Sequence, residues 1–243
     1  MLNAWIKYGW DLIGNHLPWL AYDINYRRRY KRYEPDIWQI PQFCNAHTRV
    51  IDVGANMGIY SRWMAKHAQY VESFECNPSL INSLKQVLPL NVKIHDYALS
   101  SSSGKTVLRF DPNNTGIGTV EVNNLLDQNE GIKKIQEVAV KLARLDDFAF
   151  DAVSFIKIDV EGHELEVLKG AENTLKKFHP ALLIEIEERH CPGNLVRVPD
   201  WLKTLDYLPC ILTENTITPI QELNSYAQQG RNNFWFINKF STK

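Results

Sequence analysis

The segment Asp52-Val53-Gly54-Ala55-Asn56-Met57-Gly58 sets two glycines and an acid directly after the apolar run Thr48–Val53. Gly54 and Gly58 let a backbone turn tightly and approach a ligand with no Cβ in the way. A dinucleotide would put its pyrophosphate here, which the Asp52 carboxylate repels, and Asn56 stands where the dinucleotide fingerprint wants glycine. The amino-acid moiety of S-adenosylmethionine carries an ammonium group instead, which Asp52 favours. Glu75 ends the next apolar run, about 20 residues beyond the glycines, where an acid can accept both ribose hydroxyls. Asp96 and Tyr97 close a third run, placed to meet an adenine edge. The cofactor-binding set is therefore Asp52, Gly54, Asn56, Gly58, Glu75, Asp96 and Tyr97. A purely structural turn and solvated strand-end acids are the competing explanations.

Proton chemistry has its candidates further on. Asp159 is followed by Glu161 and His163, and Glu185, Glu187, Glu188 and His190 crowd a later strand end. A neutral imidazole of pKa about 6.5 can remove a proton at neutral pH, which makes His163 a candidate general base. Asp159 can orient an acceptor, and Glu187 completes the catalytic set. Helix capping is the plain alternative for Asp159 and His163, and a solvated turn for Glu187 and Glu188. Carboxylates at adjacent strand ends also suit magnesium or calcium. No ligand spacing here demands such a cation.

These residues need strands to present them. Strands are expected over 48–53, 70–75, 91–96, 104–110, 138–143, 154–159, 181–186, 207–212 and 234–237. Helices are expected over 58–67, 78–88, 163–178 and 199–205, the second opened by Asn77 as cap and Pro78 at its first position. This alternation implies an α/β fold with a mostly parallel sheet covered on both faces. Ligands in such sheets bind outside the carboxyl ends of the strands, near the switch in strand order. The Asn/Gly-rich excursion from Asp111 to Gly131 breaks the rhythm.

The motifs together resemble the FkbM-type methyltransferases. The likeness is carried by Val50–Gly58, Phe74–Pro78, Tyr97–Ser100, Arg144–Phe148, the distinctive Ile156–Glu164 running into Val167–Ala171, and Asn233–Ile237. It spans residues 48 to 238 in order. Cys76 stands where the family usually has Pro, and Arg144 replaces the usual Thr. The resemblance implies a class I, Rossmann-like fold with a seven-stranded sheet closed by an antiparallel final strand. It also implies methyl transfer to a hydroxyl, commonly of a sugar or a secondary metabolite. Such a transfer is an in-line displacement, in which the acceptor oxygen is aligned and its proton removed.

The remaining composition narrows the partners. The chain has 243 residues and a formal net charge of -1, which argues against nucleic acid. Cys44, Cys76, Cys191 and Cys210 show no CxxC spacing, so reduced thiols and a cytoplasmic protein are expected. No signal peptide is legible, nor any run near the roughly 20 apolar residues of a membrane span. Residues 1–45 form an aromatic, basic extension to a domain at 46–243. They include a helical pattern from Leu2 to Ile13 and the run Arg27-Arg28-Arg29-Tyr30-Lys31-Arg32. This extension either packs on the domain or docks a glycan, a lipid-linked substrate or a membrane surface. Two other function classes fit a Rossmann-like sheet: a nicotinamide-dependent oxidoreductase and a non-catalytic cofactor- or glycan-binding module.

Overall fold

The structure is a computed structural model that describes residues 35–112, 114–122, 124 and 134–240. The Leu2–Ile13 helix, the basic run and part of the Asp111–Gly131 excursion lie outside the described residues. The main sheet comprises β1 (Arg49–Val53), β2 (Tyr70–Phe74), β3 (Val92–His95), β8 (Val153–Ile158), β9 (Ala181–Glu185), β10 (Tyr207–Thr213), β11 (Thr216–Pro219) and β12 (Asn233–Asn238). Their order is β11-β10-β12-β9-β8-β1-β2-β3. The pairs from β9 through β8, β1 and β2 to β3 are parallel, whereas β12 runs antiparallel to both β9 and β10. Chain order reverses between β1 and β8, so the crevice for a ligand opens where Gly54 and Asp159 leave their strands.

A second sheet, in the order β4-β7-β5-β6, is built from β4 (Ala98–Leu99), β5 (Gly104–Asp111), β6 (Asn114–Thr119) and β7 (Gln136–Ala143). The helices are α1 (Ile59–Met64), α2 (Pro78–Val87), α3 (Glu164–Gly170), α4 (Glu172–Phe178), α5 (Asn194–Lys203) and α6 (Asn224–Ala227). Asn77 caps α2 as the sequence suggests, its side chain accepting from the Ser79 amide at 3.0 Å.

The α/β, mostly parallel architecture is as expected, with three corrections. The main sheet has eight strands, not seven, because β10 doubles back as β11. Glu214 and Asn215 both take positive φ, 47° and 67°, which is the two-residue turn that matches strand twist. The helix expected over 163–178 is two helices. Gly170 packs so closely that a Cβ there would lie 2.0 Å from the Ser100 carbonyl oxygen, and Ala171 leaves helical geometry at φ −108° and ψ 7°. The helix expected to start at Pro199 starts at Asn194, because Glu188 accepts from the Gly193 and Leu195 amides at 2.6 and 3.2 Å.

Residues Pro35–Phe43 form a 3-10 helix that joins the core through the buried Ile37 and Ile40. Trp235 Nε1 donates to Asp36 Oδ1 at 2.6 Å across 199 positions of sequence. Burial raises the Asp36 pKa, and the Trp235 bond works against that rise. Trp235→Phe should strand this buried carboxyl at a cost of about 2 kcal/mol, lowering Tm by about 4–8 °C. Differential scanning calorimetry checks this, and an unchanged Tm would show that the bond does not anchor the segment.

Candidate functional site

A cleft of about 710 Å³, open mouth included, lies over the β1–β8 switch. It is lined by Gly54, Asn56, Glu75 and Tyr97 from the first three strand ends, by Asp159 and Glu161 after β8, and by Leu108, Gly118 and Val120 of the second sheet's segments. The excursion after β5 thus contributes to the cleft through its described part.

The turn after β1 is held by Gly54 and Ala55 amides donating to the Phe74 carbonyl, both at 3.0 Å. Gly54, Asn56 and Gly58 all have positive φ, 78°, 48° and 75°. Asparagine tolerates that region better than most residues with a Cβ. A Cβ on Gly54 would lie 1.8 Å from the Asp159 carbonyl oxygen, and one on Gly58 2.7 Å from Leu84 Cδ2. The room these glycines leave is therefore filled by protein. Gly54 lets the β1 turn press against the end of β8, and Gly58 lets α1 meet α2.

Glu75 is the fixed point of the cleft floor. Its Oε1 accepts from the Asn77 amide and its Oε2 from the Asn56 amide, each at 2.7 Å. Burial raises its pKa, and those amides oppose the rise. Each carboxylate oxygen can accept a further bond, so the residue can still receive a vicinal diol. Beside it, Asn56 Oδ1 is buried with no partner. Tyr97 reaches the cleft, edge-on to Phe148 with ring centroids 5.8 Å apart.

Two expected cofactor contacts sit elsewhere. Asp52 is 2% exposed and lies beneath the turn, accepting from Ser61 Oγ at 2.6 Å. Its neighbour in register on β8 is Lys157. Asp96 is not among the cleft-lining residues; it is exposed and ion-paired at 2.7 Å with Lys141, whose ammonium also stands 5.2 Å from the centre of the Tyr97 ring. Lys141 holds the Asp96 carboxyl below the usual range.

At the acceptor end, Asp159 lines the cleft as expected. Its partner is Lys157, 1% exposed, whose Nζ stands 3.4 Å from Asp159 Oδ2, 3.9 Å from Glu185 Oε2 and 5.0 Å from the centre of the Tyr60 ring. The Asp159 carboxylate, with burial adding to it, drives the Glu185 pKa far above the ordinary range. Glu185 therefore keeps its proton near neutral pH. Glu185 belongs to the strand-end acids that the sequence offers for proton chemistry, whereas Lys157 is not among the candidates.

His163 and Glu187 do not reach the cleft. His163 Nδ1 is 2.9 Å from Glu121 Oε2 and Nε2 is 2.9 Å from Ser100 Oγ. Both ring nitrogens are occupied, tying the second sheet's connection to the start of α3. Glu187 is bound by Arg189. Both line a separate shallow depression with Ile186 and Asn232. Among the described residues no group of three or more His, Cys, Asp or Glu side chains is arranged to hold a metal ion.

Burial also sets a pH dependence for the fold. It pushes Asp52 up to about 6, against the Ser61 bond, and Glu164 up to about 7, against the Gly162 amide. Their ordinary values are 3.8 and 4.5. Folding therefore takes up protons between about pH 4 and 7, and the stabilisation present below that window is lost as pH rises through it. The urea midpoint should be higher at pH 5 than at pH 8. A midpoint that rises over that interval would contradict these assignments.

A sequence profile described as the Methyltransferase FkbM domain matches residues 52–209. The chain belongs to the FkbM methyltransferase family. It is 32% identical over 155 residues to Methyltransferase sdnD of Sordaria araneosa, covering 51% of this chain and 60% of that one. It is 31% identical over 156 residues to Hexuronic acid methyltransferase AglP of Haloferax volcanii, covering 60% and 59%. The chain thus spans about three-fifths of the length of the curated relatives it matches. The crystal structure of Methyltransferase FkbM from Methylobacillus flagellatus KT superposes with a TM-score of 0.52 at 18% identity, covering 78% of this chain and 43% of that one. That structure shares the fold of this FkbM domain.

Proposed function

We propose that this chain is an S-adenosylmethionine-dependent O-methyltransferase acting on a hydroxyl of a sugar, in a glycan, a glycolipid or a glycosylated metabolite. The observation that carries this is the cleft at the strand-order switch. Asn56, Glu75 and Tyr97, from three consecutive strand ends, line it together with Asp159 from the fourth. The residues fit the cofactor. Glu75 is a buried carboxylate with acceptor capacity left on both oxygens, suited to ribose hydroxyls, and Asn56 Oδ1 is an acceptor without a protein partner. Tyr97 supplies an aromatic wall for adenine. Asp52 acts from below, as a buried charge that steadies the turn and Lys157.

When bound, the cofactor supplies an electrophilic methyl group on a sulfonium. Asp159, held by Lys157, orients the acceptor oxygen. Membership of a methyltransferase family supports the reaction class, and the relative named as a hexuronic acid methyltransferase supports a sugar acceptor. No helix among the described residues is long and apolar enough to cross a membrane. A cytoplasmic enzyme whose N-terminal segment touches a membrane surface is compatible with that.

The test is label transfer from methyl-labelled S-adenosylmethionine to a panel of cell glycans, located by mass. Label on carbohydrate hydroxyls is expected. Label on nucleic acid or protein side chains, with none on carbohydrate, would remove the sugar assignment. Asp159→Ala should lose turnover by at least about 100-fold with cofactor affinity retained. Unchanged turnover would take Asp159 out of the reaction.

A further inference from the structure

Glu161 has a backbone conformation that its neighbours enforce. Its φ of 53° lies in the left-handed region, which residues with a Cβ seldom adopt unless the surroundings over-determine it. Thr119 Oγ1 and Asn124 Nδ2 both donate to its carbonyl oxygen, at 2.8 and 2.7 Å. On the other side, a Cβ on Gly162 would lie 2.9 Å from the His190 carbonyl oxygen. Asn194 Nδ2 donates to the Gly162 carbonyl at 3.1 Å. The turn after Asp159 is thus clamped between the second sheet's connection and the segment after β9.

That clamp puts the Glu161 side chain at the cleft wall, 21% exposed, with Oε2 2.7 Å from Nδ1 of the buried His190. The other oxygen, Oε1, has no partner among the described residues. Asp159 differs, since its carboxylate is engaged by Lys157 at 3.4 Å. The cleft therefore holds one carboxylate tied down by a lysine and a second that is anchored through one oxygen and open through the other.

We propose that Glu161 takes the proton of the acceptor hydroxyl on Oε1 during methyl transfer, and that His190 is the positioning residue that holds it there. This rests on the reading of the cleft as a methyl-transfer site. The acceptor oxygen forms the new O–C bond with a lone pair as the C–S bond breaks. The electrons of that bond stay on sulfur, which becomes a neutral thioether, and the hydroxyl proton passes to Glu161. The surroundings favour that uptake. Burial raises the proton affinity of Glu161, the His190 bond opposes this, and the Asp159 and Glu187 charges add to it. Glu185 and Arg189 are the remaining charged groups that act on Glu161. Burial pulls the His190 pKa down, but Glu161 outweighs it and leaves the imidazole above its ordinary value.

Three measurements on the full chain test the assignment. Glu161→Gln should bind S-adenosylhomocysteine within about twofold of wild type, which shows an intact fold and cofactor site. Its label transfer from methyl-labelled S-adenosylmethionine to a panel of methyl glycosides should fall at least about 100-fold in kcat and lose the acid limb of the pH profile. His190→Gln should lose about tenfold and move that limb to higher pH, a shift that a merely structural role would not produce. Independently of turnover, the His190 imidazole followed by 15N NMR should titrate at lower pH in Glu161→Gln than in wild type. An unchanged titration, or a Glu161→Gln enzyme within threefold of wild-type kcat, overturns the assignment alone. A wild-type chain that moves label to no hydroxyl overturns the reading of the cleft, and this assignment with it.

Discussion

Gly54→Ala is expected to destabilise the domain by more than about 4 kcal/mol, enough to prevent accumulation of folded protein. Two costs add. The residue sits at φ +78°, where an alanine costs roughly 1–2 kcal/mol. The new methyl would also lie 1.8 Å from the Asp159 carbonyl oxygen, which belongs to backbone at the end of a central strand and cannot swing aside. Relief requires parting β1 from β8 or breaking the bond from the Asp159 amide to the Val53 carbonyl, 3.0 Å in the native fold. Gly230→Ala is the control, because Gly230 has φ +83° but open space around it. It should cost only the conformational part, about 1–2 kcal/mol. Urea unfolding of both variants measures the difference. Equal losses would show that the β1 turn can move away from β8, and the tight coupling of cofactor turn to acceptor wall would fall with it.

Glu75→Gln is the second large effect, and it falls on binding. The substitution keeps the side chain's shape and one acceptor, but removes the charge that two ribose hydroxyls would meet. Hydrogen bonds to a charged group are worth about 1.5–3 kcal/mol each, so affinity for S-adenosylmethionine should drop by about 100-fold or more. Part of the loss is indirect. The Gln amide cannot accept from both the Asn56 and Asn77 amides, which Glu75 now holds at 2.7 Å each. A wild-type affinity in this variant would place the ribose elsewhere.

The parts of the site legible in the sequence are the local ones. Asn56, Glu75 and Tyr97 lie in one β-α-β-α-β stretch, where each strand end follows the last at a regular interval and the parallel sheet lines them up. What fails there is a long-range ion pair. Lys141 of β7, 45 positions away, takes up Asp96, while Tyr97 lines the cleft. Burial depth is similarly silent. Asp52 ends β1 on cue, yet it faces the interior with Ser61 and Lys157. The glycines are needed, but for packing against Asp159 and Leu84.

At the acceptor end the informative contacts cross long distances in sequence. Glu161 and His190 meet only because β8 and β9 are adjacent. His163 is taken out of the cleft by Glu121, 42 positions away in the irregular excursion. Lys157 alternates with strand residues that read simply as core, and nothing in its spacing announces a buried ammonium between two carboxyls. The eighth strand is hidden for a local reason. Glu214-Asn215 lacks the Asn-Gly or Asp-Gly signature that usually marks a two-residue hairpin.

The central claim, S-adenosylmethionine bound in the cleft between Glu75 and Asp159, is tested most directly by calorimetry on the full chain. Titration with S-adenosylmethionine should give saturable, one-to-one binding that Glu75→Gln weakens by about 100-fold, while NAD gives no saturable heat. Binding of NAD with none of S-adenosylmethionine, or equal affinity in wild type and Glu75→Gln, would contradict it.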